Sequence, residues 1–118
     1  MDCEVFPAPF RLFVDDKDCL FPDLSIICDK NILSDRGCEG APDWVIEVTS
    51  PSTQNNDYMT KLFRYRSIGV RLYWVINSGK QTVNVWDFEH GEYTQYCFSE
   101  SVSVSICNGF AMCLDDIL

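Results

Sequence analysis

Ala41-Pro-Asp-Trp-Val-Ile-Glu-Val-Thr-Ser-Pro-Ser-Thr53 is the stretch that decides the fold. The residues from Asp43 to Ser50 favour a β-strand that stops at the following proline. Alternation places Trp44, Ile46 and Val48 on one face and Val45, Glu47 and Thr49 on the other. Apolar residues dominate both faces, which predicts a central strand covered on both sides. Glu47 is the exception, because a buried carboxylate needs a cation, a partner charge or several hydrogen-bond donors.

The size of the chain bounds its organisation. With 118 residues it is predicted to form a single domain, 1–118, that can bury about two-thirds of its unfolded surface. No run is apolar and long enough to cross a membrane, and the acidic start Met1-Asp-Cys-Glu4 leads into no signal core. We therefore expect a cytoplasmic protein without membrane association.

The seven cysteines are scattered through the chain and form no Cys-x-x-Cys pair. With His90 as the single histidine, a Cys/His zinc site of familiar spacing is excluded. We expect reduced cysteines that pack as small hydrophobic side chains, as is usual in the cytosol.

The net charge of −9 argues against passive binding to a phosphate backbone. The charge is uneven, however, because the segment from Tyr58 to Trp86 has no Asp or Glu. It carries five basic residues: Lys61, Arg64, Arg66, Arg71 and Lys80. Two interpretations stay open: a basic helix and hairpin paired with acidic neighbours, or a local positive patch on an acidic body.

Periodicity and turn residues predict the remaining elements. The predicted order is short strands at Cys3–Phe6 and Phe10–Val14 forming an edge hairpin, a strand at Phe21–Cys28, a polar connection at Asp29–Gly40, the central strand, a helix at Gln54–Ile68, a strand at Val70–Ile76, hairpin strands at Thr82–Phe88 and Tyr93–Phe98, an alternating strand at Val102–Ile106, and a helical turn within Gly109–Leu118. The helix would be capped by Ser52 or Thr53 and ended by Gly69, with Met59, Leu62 and Phe63 on its apolar face.

Three polar residues could form a reactive site: Asp23, Glu47 and Lys61. If the strands carrying the two acids are neighbours, both carboxylates can project from the same face and hold Mg²⁺. A lysine within reach would add a positive charge for a phosphoryl group. The alternatives are that Asp23 caps a strand start, that Glu47 pairs with an arginine in the core, and that Lys61 pairs with Asp57 on the helix surface.

Several blocks of sequence carry a family resemblance in the correct order. They are Phe21-Pro-Asp-Leu-Ser-Ile-Ile-Cys-Asp29, Asp35-Arg-Gly-Cys-Glu-Gly-Ala-Pro-Asp43, Glu47-Val-Thr-Ser-Pro-Ser-Thr53, Asp57 through Lys61-Leu to Tyr65, and Gly69-Val-Arg-Leu-Tyr-Trp-Val75. The chain resembles the Uma2 family of restriction-type endonucleases, part of the PD-(D/E)XK nuclease superfamily. The resemblance implies a mixed α/β fold with a restriction-endonuclease-like central sheet and a flanking helix.

The resemblance also implies the site. The family's first acidic position falls on Asp23 and its second on Glu47. The superfamily places a lysine two residues after the second acid, where this chain has Thr49. In the variant that this chain resembles, the lysine comes from the following helix, which implies Lys61.

The implied function is a metal-dependent endonuclease that hydrolyses DNA phosphodiester bonds. Asp23 and Glu47 would hold Mg²⁺ or Mn²⁺, Lys61 would stabilise charge, and Arg64 or Arg71 would contact phosphate. Family members usually begin with a helical segment that this chain lacks, so we expect an N-terminally truncated domain with a tendency to self-associate. The alternatives are an inactive nuclease-fold remnant that acts as an interaction module, and a structural homo-oligomer.

Overall fold

The computed structural model describes residues 3–15, 18–49, 56–107 and 110–117, and for residues 56–58 the backbone only. The elements in chain order are β1 (Glu4–Pro7), β2 (Leu12–Phe13), β3 (Cys19–Leu20), β4 (Leu24–Ile27), a 3₁₀ turn (Lys30–Ile32), β5 (Leu33–Ser34), β6 (Gly37–Cys38), β7 (Trp44–Thr49), α1 (Asn56–Ile68), β8 (Leu72–Asn77), β9 (Thr82–Asp87), β10 (Glu92–Cys97), β11 (Val102–Ser103), β12 (Ala111–Met112) and a 3₁₀ turn (Leu114–Asp116).

The main sheet has six strands in the order β1-β4-β7-β8-β9-β10. Strands β7 and β8 are parallel and are joined by α1, because a parallel pair needs a crossover connection. The other neighbouring strands of this sheet are antiparallel. The prediction of a mixed central sheet with a flanking helix is confirmed.

The predicted N-terminal hairpin is wrong. Strand β1 pairs with β4 at the edge of the main sheet, whereas β2 pairs with β3 and β6 in a separate four-stranded sheet. The second sheet is built partly from the 29–40 segment, which was expected to be a polar connection and instead contributes β5 and β6. Strands β2 and β3 pair across the turn closed by the Val14 N–H and the Asp18 carbonyl. The β1–β4 and β2–β6 pairings reach past the nearest turn, so local turn signals do not reveal them.

Strand β7 is covered on both faces, as predicted. On one face Trp44 and Ile46 pack with β4, β8 and β9 and with residues near the C-terminus. On the other face Val45 packs with α1 and the four-stranded sheet. The C-terminal cover includes Val102, Val104 and Ile106, whose burial alternates as predicted even though only the first belongs to a two-residue strand. The expected helical turn at the end is the 3₁₀ turn, preceded by β12.

Helix α1 packs with a face different from the predicted one. Leu62 is buried, but Met59 is 43% and Phe63 57% exposed, whereas Tyr65 is fully buried. Leu62 and Tyr65 are three residues apart and face the sheet together. The candidate caps Ser52 and Thr53, and the side chain of Asp57, lie outside the described residues.

Gly69 ends α1 as predicted. Its φ of +102° lies in the region that favours glycine. The Gly69 N–H donates to the Arg66 carbonyl at 3.2 Å and the Val70 N–H to the Tyr65 carbonyl at 3.1 Å, which is the Schellman arrangement of a helix C-terminus. This turn leads directly into β8.

Two cysteines do not follow the sequence-based expectation. Cys3 and Cys28 form a disulfide between the edge strand β1 and β4, since the β1–β4 register places them side by side. The other cysteines, Cys19, Cys38, Cys97, Cys107 and Cys113, are free, as predicted. Cys38 is fully buried, and burial raises the pKa of its thiol. No helix in the described part of the chain is long and apolar enough to cross a membrane.

Gly69→Ala is expected to lower the free energy of unfolding by about 1–3 kcal/mol, because an L side chain is strained at this backbone conformation. The strain is conformational rather than steric, since the nearest atom to an added Cβ is the Ala41 Cβ at 3.8 Å. Urea denaturation measures the effect. Gly69→Asn is the matched control and should lose less, because asparagine tolerates positive φ better than alanine. Equal stability of the wild type and the alanine variant would contradict this role of Gly69.

Candidate active site

Strand register brings Asp23 and Glu47 together. In the antiparallel pair of β4 and β7, Leu24 lies opposite Ile46, so the next position places Asp23 opposite Glu47 on the same face. The Asp23 N–H donates to Glu47 Oε1 at 3.0 Å. In return, Asp23 Oδ2 accepts from the Val48 N–H at 2.7 Å. The two acids therefore form a reciprocal clamp at the point where β4 begins.

Helix α1 supplies the remaining partners of Glu47. Glu47 is only 4% exposed. Its Oε2 accepts a hydrogen bond from the Tyr65 hydroxyl at 2.9 Å and lies 3.2 Å from Lys61 Nζ. Lys61 and Tyr65 are four residues apart, so they share one face of the helix. The unusual buried carboxylate of β7 is thus satisfied by a cation and by hydrogen-bond donors.

Burial dominates the electrostatics of this cluster. It raises the pKa of the Glu47 carboxyl, and the Asp23 N–H, the Lys61 ammonium and the Tyr65 hydroxyl offset part of that rise. The Asp23 carboxylate raises the pKa of Glu47 further by charge repulsion. Burial and then the neighbouring Glu47 raise the pKa of Tyr65 above its usual range, so Tyr65 stays protonated and acts as a donor.

The structure brings together the three residues that the sequence singled out. Asp23, Glu47 and Lys61 meet at one end of the sheet, and their catalytic assignment stays a prediction. The charged partner of Glu47 is Lys61 rather than an arginine. The Asp23 carboxylate also accepts a hydrogen bond from the Val48 N–H of the neighbouring strand. The same side chain therefore fits both sequence-based alternatives, a cap at the start of a strand and a member of the site.

Thr49 stands where the superfamily pattern has lysine. Its hydroxyl donates to the Ile76 carbonyl at 3.5 Å and cannot provide a cation. The ammonium of Lys61, from the following helix, instead lies beside the second acid. The resemblance implied a lysine from this helix, and the catalytic role of Lys61 stays a prediction.

Sequence reasoning missed Tyr65 as a member of the site. Tyrosine is common in helix cores, and its ring alone accounts for its burial. The signal that could have found it is the spacing from Lys61, because a helix residue four positions from a site lysine faces the same carboxylate.

The basic segment is largely paired with acidic residues. Arg64 forms an ion pair with Asp18. Arg71 lies 3.2 Å from Asp43 and 2.9 Å from Glu89. For these two arginines and for Lys61, the interpretation of paired cations is the one that the structure supports.

A second polar cluster lies at the β9–β10 turn. Ligand atoms of Asp87, His90 and Glu92 lie within 4.8 Å of one another. His90 Nδ1 lies 2.8 Å from Asp87 Oδ2, and this hydrogen bond raises the pKa of the exposed imidazole. Asp87 pairs with Leu72 and Glu47 with Val75, so this cluster is displaced from Glu47 by three residues along the strands and by two strands across the sheet.

The donor set at Asp23 and Glu47 fits a hard divalent cation. Two carboxylates from neighbouring strands offer the oxygen ligands that Mg²⁺ and Mn²⁺ prefer, and Mg²⁺ usually binds through only one or two of them with water completing its shell. Asp23 is only partly buried, so solvent and a ligand can reach its carboxylate from outside the sheet. The same arrangement offers one lysine charge for an anion.

This fold is shared with a solved protein. The crystal structure of "a putative nuclease belonging to DUF820" from Anabaena variabilis ATCC 29413 matches it with a TM-score of 0.76 at 23% sequence identity. The match covers 97% of this chain and 66% of that one, so the chain spans slightly less than two-thirds of the length of this neighbour. Comparison with curated proteins gives no match.

A family model identifies the chain more narrowly. The Uma2 model, described as "Putative restriction endonuclease", matches residues 1–115. The chain therefore belongs to the Uma2 family, which confirms the resemblance drawn from its sequence blocks.

The raised pKa of Glu47 predicts a pH dependence of stability. Because the folded pKa lies above the ordinary value of 4.5, the folded state holds this proton more tightly than the unfolded state. The stabilising contribution is full below the unfolded pKa and is lost as the pH rises through the folded pKa. Relative to Glu47→Gln, the wild type should therefore lose free energy of unfolding as the pH rises from about 4 to about 8 in urea denaturation series.

Glu100→Gln is the matched control, since it makes the same charge change at an exposed position. Its difference from the wild type should vary less across the series. A wild type that gains stability relative to Glu47→Gln as the pH rises would show that Glu47 titrates in the opposite direction.

Proposed function

We propose that this protein is a divalent-metal-dependent endonuclease that hydrolyses phosphodiester bonds in DNA. The observation that carries the proposal is the convergence of Asp23 and buried Glu47 with the helix-borne Lys61. Membership of the Uma2 family supports the nuclease class. The metal, the DNA substrate and the cytoplasmic location are parts of the proposal, because the chain spans only 66% of its solved structural neighbour.

Asp23 and Glu47 would hold Mg²⁺ or Mn²⁺ between them. When bound, the metal would supply an activated water and offset the charge that builds on the phosphoryl group. Glu47 is suited to serve as a metal ligand of fixed orientation, because its two oxygens are held by donors from the start of β4 and from α1. Asp23 is the more accessible of the two acids, and the substrate would approach the metal from the side of the site where Asp23 lies.

Lys61 would have two successive roles. In the free protein its ammonium balances the buried charge of Glu47. Its side chain is 28% exposed, so it has room to turn toward a phosphoryl oxygen. A positive charge placed there stabilises the transition state of phosphodiester hydrolysis.

The charge of the chain constrains how DNA would bind. The net charge is −9, and both arginines predicted to contact phosphate are paired with acidic residues in the structure. Attraction by a broad basic surface is therefore weak. We propose that DNA binding depends on the divalent ion, which would neutralise the two carboxylates where the backbone must approach.

Nicking of supercoiled plasmid DNA in Mn²⁺ or Mg²⁺ tests the activity. The wild type should cleave, whereas Asp23→Asn, Glu47→Gln and Lys61→Met should each lose about 100-fold or more of the rate, because each removes a ligand or charge of the site. Glu100→Gln is the control, as it removes an exposed carboxylate just after the edge strand β10, three strands away from β7, and should cleave like the wild type. Equal cleavage by the wild type and Glu47→Gln would remove this site from the reaction.

The alternative proposal is an inactive nuclease-fold module that self-associates. Several large apolar side chains are exposed and support it: Val5, Phe21, Val48, Phe63, Phe110 and Ile117. This alternative predicts a folded protein that cleaves neither DNA nor RNA in any divalent ion. Light scattering should then give a mass above that of one chain, and a clean monomer would argue against the homo-oligomer.

A further inference from the structure

We propose that Tyr65 is a positioning residue of the site, whose hydroxyl fixes the Glu47 carboxylate in the orientation that binds the metal. This inference rests on the proposed function and adds a residue to it. Tyr65 would not contact the metal or the substrate, because its hydroxyl is directed at Glu47 from within the core.

The Glu47 carboxylate is held at both oxygens. Oε1 accepts from the Asp23 N–H at 3.0 Å, and Oε2 accepts from the Tyr65 hydroxyl at 2.9 Å. The first donor belongs to the sheet and the second to the helix, so rotation of the carboxylate about its last side-chain bond would break at least one of these bonds. Without the Tyr65 hydroxyl, the partly exposed Lys61 would be the partner left at Oε2 among the described residues.

Buried aromatic packing sets the position of the Tyr65 hydroxyl. Tyr65 is fully buried, and its ring centroid lies 5.1 Å from that of Tyr73. Tyr73 is stacked in turn on Trp86 at 5.6 Å and on Phe88 at 6.2 Å. The ring therefore cannot move without disturbing the packing of α1 on β8 and β9, which makes the hydroxyl a rigid donor.

Glu47 Oε2 thus has two donors of different character: Tyr65, which is enclosed in the core, and Lys61, which is partly exposed. The Tyr65 ring is enclosed, whereas the Lys61 side chain is long and partly exposed. Lys61 can leave Glu47 to meet a phosphoryl group only if another donor keeps the carboxylate in place. Tyr65 is placed to be that donor.

The competing explanation is that Tyr65 only fills the core. Phenylalanine would fill the same space, so the two explanations differ in the hydroxyl alone. A purely structural role predicts that Tyr65→Phe changes stability and nothing else. A positioning role predicts that the same variant weakens metal binding even where it is fully folded, since donors behind a metal ligand commonly contribute about 10–100-fold to affinity.

Calorimetric titration of Mn²⁺ into the whole chain tests the proposal, with folding checked by circular dichroism at the same temperature. Tyr65→Phe should weaken Mn²⁺ binding about 10-fold or more, and Glu47→Gln should abolish it. Tyr73→Phe is the matched control, because it removes a tyrosine hydroxyl from the same aromatic packing at a position paired with Val45 rather than Glu47. Its Mn²⁺ affinity should stay within about twofold of the wild type.

The outcomes separate this inference from the proposed function. Wild-type affinity in folded Tyr65→Phe, with binding lost in Glu47→Gln, would overturn the positioning role and leave the metal site standing. A wild type that binds no Mn²⁺ would remove both. If Tyr65→Phe does not fold, proton NMR of the wild type replaces it: a slowly exchanging Tyr65 hydroxyl proton that shifts on addition of Mg²⁺ supports the proposal, and one that is unmoved while other site resonances shift refutes it.

Discussion

The buried carboxylate of Glu47 is the constraint on which the rest of the site depends. A charge in the middle of a sheet is costly unless donors surround it. Here the donors come from two separate elements, the start of β4 and one face of α1. The register of β4, the crossover of α1 and the packing of that helix are therefore coupled, because an error in any one of them would remove at least one partner of Glu47.

The crossover topology explains why the helix can serve this purpose. Strands β7 and β8 are parallel neighbours, so the chain between them must return across one face of the sheet. That face carries Val45 and Glu47. The residues of α1 that face the sheet therefore contact the Glu47 carboxylate. Lys61 and Tyr65 are four residues apart, so they place an ammonium and a hydroxyl side by side at this carboxylate. A lysine on β7 itself, where Thr49 stands, is not required for an ammonium to reach Glu47.

Much of this arrangement could be predicted from local patterns. Strands β8, β9 and β10 follow from strong β-forming sequences separated by turn residues, and the shared face of Asp23 and Glu47 follows from the two-residue period of neighbouring strands. The parts that could not be predicted depend on distant contacts. The pairing of β1 with β4 and the Cys3–Cys28 disulfide are set by tertiary packing. The helix face was misjudged because Met59 and Phe63 repeat at helical spacing but remain exposed.

The chemistry of Glu47 supports the proposal that this cluster serves more than folding. A glutamine would bury no charge, although its NH₂ group donates and its single oxygen could accept from only one side of the site. An apolar residue would pack in the sheet without needing donors. Burial raises the pKa of Glu47, and its hydrogen-bond donors and Lys61 offset only part of that rise, so the charged form is costly to the fold. Such a cost is expected at a functional site, where a fixed negative charge is needed to attract a cation. The ammonium of Lys61 balances that charge in the free protein. Under the proposed function, a bound divalent ion would take over this role while the partly exposed lysine turns toward the substrate.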